Sequence, residues 1–159
     1  ATALQPPGAF DDLYAAALDA DLGATVEATA RGVATNLALW APSAQRVAAC
    51  LYRSDRARAY AMEPLSLDPA TGVWSARFGG DLSGTYYRYV VDVHVRGTGL
   101  VRNRVTDPWS LGLGADSRRS AVVRLDAPAT KPPGWDVAAR PRPLAAQTDM
   151  AIYELHVRD

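Results

Sequence analysis

One stretch constrains the fold of this chain more than any other: "TYYRYVVDVHV", residues 85–95, free of glycine and proline and rich in β-branched and aromatic side chains. Such a run favours a pleated strand. Its alternate residues differ in character. Tyr87, Tyr89, Val91, Val93 and Val95 form one consistently apolar row, whereas Tyr86, Arg88, Val90, Asp92 and His94 form a mixed one. The first row is predicted to face a core, because a one-residue slip would bury Arg88 and Asp92.

Similar runs flank it. "VATNLALW" is closed by "APSAQ", "RVAACLY" leads into the polar "RSDRAR", "AYAMEPL" ends at the turn "DPATG", and "VWSARF" ends at "GGDLSG". "RGTG" reads as a hairpin turn that sends "LVRNRV" back along the long run, and "SAVVRL" is the last strand. About seven short strands at this spacing predict an all-β, immunoglobulin-like (early-set) β-sandwich over residues 24–126. Leu37 and Leu39 are predicted to point inward, with Val47, Ala49 and Leu51 on the next strand.

The flanks read differently. Residues 1–23 form an N-terminal helical segment: Phe10, Leu13, Tyr14, Ala17 and Leu18 recur at helical spacing behind Asp11 and Asp12, and Gly23 closes the stretch. This predicts a short amphipathic helix over Asp11–Ala20, packed against the strands after it. Residues 127–148 carry Pro128, Pro132, Pro133, Pro141 and Pro143, which forbid a helix or a central strand, so they read as an extended linker anchored by Trp135. Residues 149–159, containing "MAIYELHVRD", read as a buried strand belonging to a second domain. Without neighbours, Ile152 to Val157 is predicted to add to a sandwich edge, to pair with another molecule or to be disordered, with edge addition or pairing the favoured outcomes.

Charge and composition exclude several classes. Lys plus Arg and Asp plus Glu are both 17, which gives no electrostatic case for nucleic acid or an anionic membrane. Arg102, Arg104, Arg118, Arg119 and Arg124 cluster in sequence but interleave with Asp107 and Asp116, favouring a solvated face over a phosphate site. No run approaches the roughly 20 apolar residues of a membrane span. Cys50 is the single cysteine, so no internal disulfide forms. His94 and His156 fall on different predicted elements without ligands at metal spacing, so neither a metal nor another cofactor is implied. Nothing in the sequence fixes a compartment.

Catalytic patterns are equally sparse. No "GxSxG" elbow occurs around Ser83, and Gly112 and Gly114 lack the Lys-Ser/Thr pair of a phosphate loop. Asp55, Glu63, Asp68 and Asp81 fall mainly in predicted turns, so no carboxylate pair is nominated. Aromatics remain: Trp40, Trp74, Trp109 and Trp135, with Tyr52, Tyr60 and Tyr86, offer flat faces on which sugar rings stack.

Several stretches together resemble a known family. "LALWAPSAQRVAACLY" is similar to the "WAP" motif of the family 48 carbohydrate-binding module found ahead of the catalytic barrel in starch-debranching enzymes. "DPATGVWSARFGGDLSGTYYRYVVDV" looks like the following segment of that module. "VTDPWSLGLGADSRRSAVVRLD", "KPPGWD" and "IYELHVRD" resemble the stretch of type I pullulanases that runs into the first strand of a glycoside hydrolase family 13 barrel. The resemblance covers residues 22–159. It departs from the family pattern at Trp109, where Tyr is usual, at Asp116, where Asn is usual, and at Arg124, where Asp is usual.

The resemblance implies a non-catalytic N-terminal module of an enzyme that hydrolyses α-1,6 branch points in α-glucans. The family's catalytic carboxylates belong to later barrel strands, beyond Asp159, and the module's partner would be the catalytic barrel of the same chain. Tyr153 and His156 match first-strand positions that line the active-site side of that barrel. Glycogen-binding relatives carry tryptophans where this chain reads "GTGLVRNRVTDP" and "RSDRARAY". With that stacking platform absent, Trp40 and Trp74 are expected to be framework, and Trp109 and Tyr60 become the candidate carbohydrate contacts. The main expectation is therefore a brace for the barrel. The alternatives are an autonomous α-glucan-binding module, the equivalent module of an isoamylase or glycogen-branching enzyme, and an immunoglobulin-like interaction domain unrelated to sugar.

Overall fold

A computed structural model describes residues 8–30, 32–138 and 143–156. The chain divides into two compact units, Ala1–Leu125 and Asp126–Asp159. The first holds ten strands among its described residues: β1 Gly23–Thr29, β2 Gly32–Trp40, β3 Ala44–Tyr52, β4 Ala59–Pro64, β5 Ser66–Asp68, β6 Val73–Gly79, β7 Tyr86–Val95, β8 Gly99–Val105, β9 Gly112–Leu113 and β10 Ser120–Ala121. They form two sheets, one ordered β1-β2-β6-β5 and one ordered β4-β3-β7-β10-β9, with β8 also paired to β7. Every pairing is antiparallel. The result is the all-β, immunoglobulin-like sandwich that the alternation predicts.

The core follows that alternation. Leu37 and Leu39 from β2, Val47, Ala49 and Leu51 from β3, Trp74 from β6, and Tyr87, Tyr89 and Val91 from β7 make one buried cluster with Val122. Val93 is half-buried and Val95 is exposed, because the row runs out past the end of the sandwich. The opposite row of β7 is not uniformly solvated, which corrects the simple two-face reading. Val90 packs with Cys50 and Tyr52 in a second cluster. Asp92 is buried beneath Arg102, whose Nε and Nη2 donate to its two oxygens at 2.7 and 2.8 Å.

Three local expectations change. Strand β1, unforeseen as a strand, pairs along β2 at the sheet edge, and its Glu27 meets Arg77 of β6 at 2.6 Å. The last strand shrinks to Ser120–Ala121, with Val122 N–H donating to the Thr85 carbonyl at 2.9 Å. The N-terminal helix is also shorter. Helix α1, Ala9–Leu13, stops at Tyr14 (φ −116°, ψ 31°), and a 3₁₀ turn covers Ala15–Asp19. No side chain caps α1, and so short a helix has too few bonds to offset its nucleation cost. Leu13 and Leu18 stay exposed, while the Tyr14 ring packs against Gly72.

In the second unit, 3₁₀ turns at Pro128–Thr130, Trp135–Val137 and Gln147–Asp149 replace a uniformly extended linker. Trp135, expected as an anchor, is exposed. Residues 151–156 form no strand, and Ile152, Tyr153 and Leu155 are 83%, 86% and 66% exposed. The edge pairing predicted for this segment is absent among the described residues, and Val157 lies outside them. A strand is defined by ladder hydrogen bonds to a neighbour, and among the described residues this segment has no strand beside it.

Candidate functional site

The site is organised around Asp107 in "VTDPWS". Tyr87 and Tyr89 both point into the core from β7, and a buried phenol needs a hydrogen-bond partner. Asp107 supplies it: its Oδ2 accepts from Tyr87 at 2.7 Å and from Tyr89 at 3.2 Å. Its Oδ1 accepts from the backbone N–H of Trp109 at 2.9 Å, and its own N–H donates to Ser120 Oγ at 2.8 Å. Burial pushes the Asp107 carboxyl above its ordinary range, against the lowering effect of the hydrogen bonds from Tyr87, Trp109 and Tyr89. Burial first, and then the charge of Asp107, push both phenols far above their ordinary value, so they stay protonated donors.

This node fixes Trp109. Its backbone is tied to Asp107 on one side and packed on Gly23 on the other, where an added Cβ would sit 2.9 Å from the Trp109 carbonyl oxygen. Gly23 has φ +91°, a conformation other residues rarely adopt. The indole itself is 44% exposed. Together with Trp40, Tyr14, Leu18 and Leu22 it lines an apolar cleft of about 360 Å³, with Asp11 the carboxylate on its wall. Trp40 is held by a 3.0 Å bond from its indole N–H to the Thr71 carbonyl.

The chemistry available here is contact. Asp107 has every short-range partner inside the fold, and the cleft offers flat rings with one carboxylate, an arrangement that holds a sugar face or an apolar chain. The two candidate contact residues are not brought together. Tyr60 is half-exposed on edge strand β4 with the Arg53 guanidinium 4.8 Å over its ring, while Trp109 follows β8 on the far side of β7. Trp74 is framework, buried with its N–H donating to the Ala41 carbonyl at 3.0 Å. Trp40 does double duty as framework and cleft wall. Tyr153 and His156 lie in the exposed extended segment of the second unit. Sequence reasoning missed Asp107, Tyr14 and Leu22; two core-facing tyrosines in a row were the signal that a buried acceptor was required.

Comparison with known proteins adds the family. Residues 21–110 match the model of carbohydrate-binding module 48 (isoamylase N-terminal domain). The chain belongs to the carbohydrate-binding module 48 family. The matched span of this family 48 module runs from just before β1 through β8 to the Asp107 and Trp109 node. Chloroplastic pullulanase 1 of Arabidopsis thaliana is 41% identical over 99% of the chain, and the pullulanase of Klebsiella pneumoniae is 37% identical over all of it. The chain spans only 16% and 15% of the lengths of those two proteins. The crystal structure of Paenibacillus barengoltzii pullulanase in complex with maltohexaose and alpha-cyclodextrin superposes with a TM-score of 0.75 at 34% identity, over 94% of this chain and 21% of that one.

Proposed function

We propose that this family 48 module is the non-catalytic part of a pullulanase-type enzyme hydrolysing α-1,6-glucosidic branch points in α-glucans, and that its main role is to brace the catalytic barrel. The observation that carries this reading is the extent of the similarity to pullulanases. It continues over residues 111–159, past the limit of the family 48 match. The exposed apolar side chains of Ile152, Tyr153 and Leu155 suit a segment that is buried against a larger domain. In that setting Tyr153 and His156 would line the active-site side of the barrel, and the reacting carboxylates would come from the barrel itself.

A second reading, an autonomous glucan-binding module, is favoured by the exposed Trp109 over an apolar cleft and by the maltohexaose and alpha-cyclodextrin in the Paenibacillus structure. Affinity electrophoresis of the chain in gels containing pullulan or amylopectin separates the two. Unchanged migration supports the bracing role. Retardation that disappears in Trp109→Ala transfers the assignment to glucan binding. Release of sugar from pullulan by the 159-residue chain alone would refute both.

A further inference from the structure

Arg104, Arg118 and Arg119, read from the sequence as part of a solvated face, gather with Arg56 and Arg88. Arg56, Arg88, Arg104, Arg118 and Arg119 line one cleft of about 630 Å³, with Asp55 the single carboxylate on its wall. The β7–β8 ladder explains the crowding. Arg102 sits opposite Asp92 and is paired with it, but Arg104 sits opposite Val90, diagonal to Arg88. Arg88 Nη2 donates to the Arg104 carbonyl at 2.9 Å, while its Nε is buried without a hydrogen-bond partner. Arg119 lies 3.7 Å over the Tyr52 ring and donates to the Ser54 carbonyl at 2.6 Å.

Counter-charge is thin. Asp55 approaches Arg56 at 3.9 Å and Asp116 approaches Arg118 at 3.3 Å. Among the described residues, no carboxylate lies within ion-pair distance of Arg88, Arg104 or Arg119. Guanidinium groups held this way repel one another, and a buried N–H without an acceptor is costly.

We propose that this cleft binds a phosphomonoester carried on a sugar, with the phosphate seated between Arg88, Arg104 and Arg119. A phosphomonoester brings nearly two negative charges and three strong acceptor oxygens, which answers several arginines at once. A carboxylate brings one charge and two oxygens, which a single guanidinium fork satisfies. The cleft volume falls in the range of small-molecule sites and leaves room beside the phosphate for a sugar ring. The phosphate site stands on the arginine geometry alone; only the sugar carrier rests on the proposed function.

The test is a titration of the nitrogen-15-labelled chain with inorganic phosphate, glucose 6-phosphate and glucose at low ionic strength, reading the arginine Nε–H resonances. Both phosphates are expected to shift Arg88 Nε–H saturably, glucose 6-phosphate with a dissociation constant of about 1 mM or below, and glucose is expected to leave it in place. R104Q, at an exposed position, should weaken binding about tenfold, with R104K in between because it keeps the charge and loses the fork. R96Q in the β7–β8 hairpin should change nothing. The proposal is overturned if neither phosphate moves the resonance at about 10 mM, or if folded R104Q binds as tightly as the parent chain. Electrophoresis in phosphorylated and phosphatase-treated glucan then identifies the carrier: phosphate-dependent retardation assigns it to the polymer, and its absence with glucose 6-phosphate binding intact assigns it to a soluble sugar phosphate. Pullulan gels carry no phosphate, so failure of the glucan reading is seen separately.

Discussion

Replacing Asp107 with alanine removes one acceptor from three donors: the Tyr87 and Tyr89 hydroxyls and the Trp109 backbone N–H. Both phenols come from fully buried residues, and a buried donor left without an acceptor costs about 1–3 kcal/mol. Allowing for partial relaxation, Asp107→Ala should lose about 3–5 kcal/mol, a large share of the roughly 5–15 kcal/mol that stabilises a domain. Urea unfolding followed by tryptophan fluorescence and circular dichroism measures it. Asp107→Asn keeps the shape and one acceptor, and should lose only about 1–2 kcal/mol. Tyr87→Phe should cost more than Tyr89→Phe, following bonds of 2.7 and 3.2 Å. The pH dependence has a definite sign. Burial holds the folded carboxyl above its ordinary 3.8, so the folded state keeps this proton longer than the unfolded chain does. The contribution of Asp107 is fully present below 3.8 and declines as pH rises through the raised value. The stability gap between the parent chain and Asp107→Asn should therefore narrow with rising pH over that window. A loss below about 1 kcal/mol in Asp107→Ala would refute the assignment of Asp107 as a buried acceptor, and a gap that widens with pH would show that its hydrogen bonds outweigh its burial.

Two further substitutions test the packing around the site. Gly23→Ala forces a Cβ to within 2.9 Å of the Trp109 carbonyl at φ +91°, and should cost about 1–3 kcal/mol while shifting Trp109 emission. Thr35→Val removes a fully buried hydroxyl that donates to the Gly80 carbonyl at 2.9 Å and accepts from Leu82 N–H at 3.0 Å. Two backbone groups then lose their partner, so the thermal midpoint should fall by the equivalent of about 2–4 kcal/mol, and a change near zero would show that water replaces the hydroxyl.

The sandwich was legible because its signal is local. Tyr87, Tyr89 and Val91 announce their face within one strand, and Leu37 and Leu39 do the same. What failed depended on partners distant in sequence. Asp92 is buried because Arg102, across the hairpin, covers it, and a period-two pattern does not register such a lid. Asp107 lies 20 residues from Tyr87 and 13 from Ser120, so its node exists only once β7, β8 and β10 have come together. Trp109 and Tyr60, nominated together as carbohydrate contacts, are both partly exposed rings, but strand order separates them, which no local pattern registers. The N-terminal helix is present but shorter than its spacing suggests, for an energetic reason: an uncapped start and a break at Tyr14 leave α1 with five residues.

Strands β8 and β10 share one side of β7, with Val105 opposite Tyr89 and Ser120 opposite Tyr87. Residues 106–119 thus leave and rejoin the same strand only about 7 Å apart. A loop with its ends clamped so close is insensitive to its own length, since doubling it adds about 0.6 kcal/mol of closure entropy. The β9–β10 pairing and the contact of Trp109 with Gly23 tie the first half of that loop to both sheets, so it is residues 115–118, beyond the 2.8 Å bond from Gly114 N–H to the Arg119 carbonyl, that can be lengthened at little cost. The Arg118 edge of the basic cleft lies on that short loop, where the sequence is freest to vary without refolding the module.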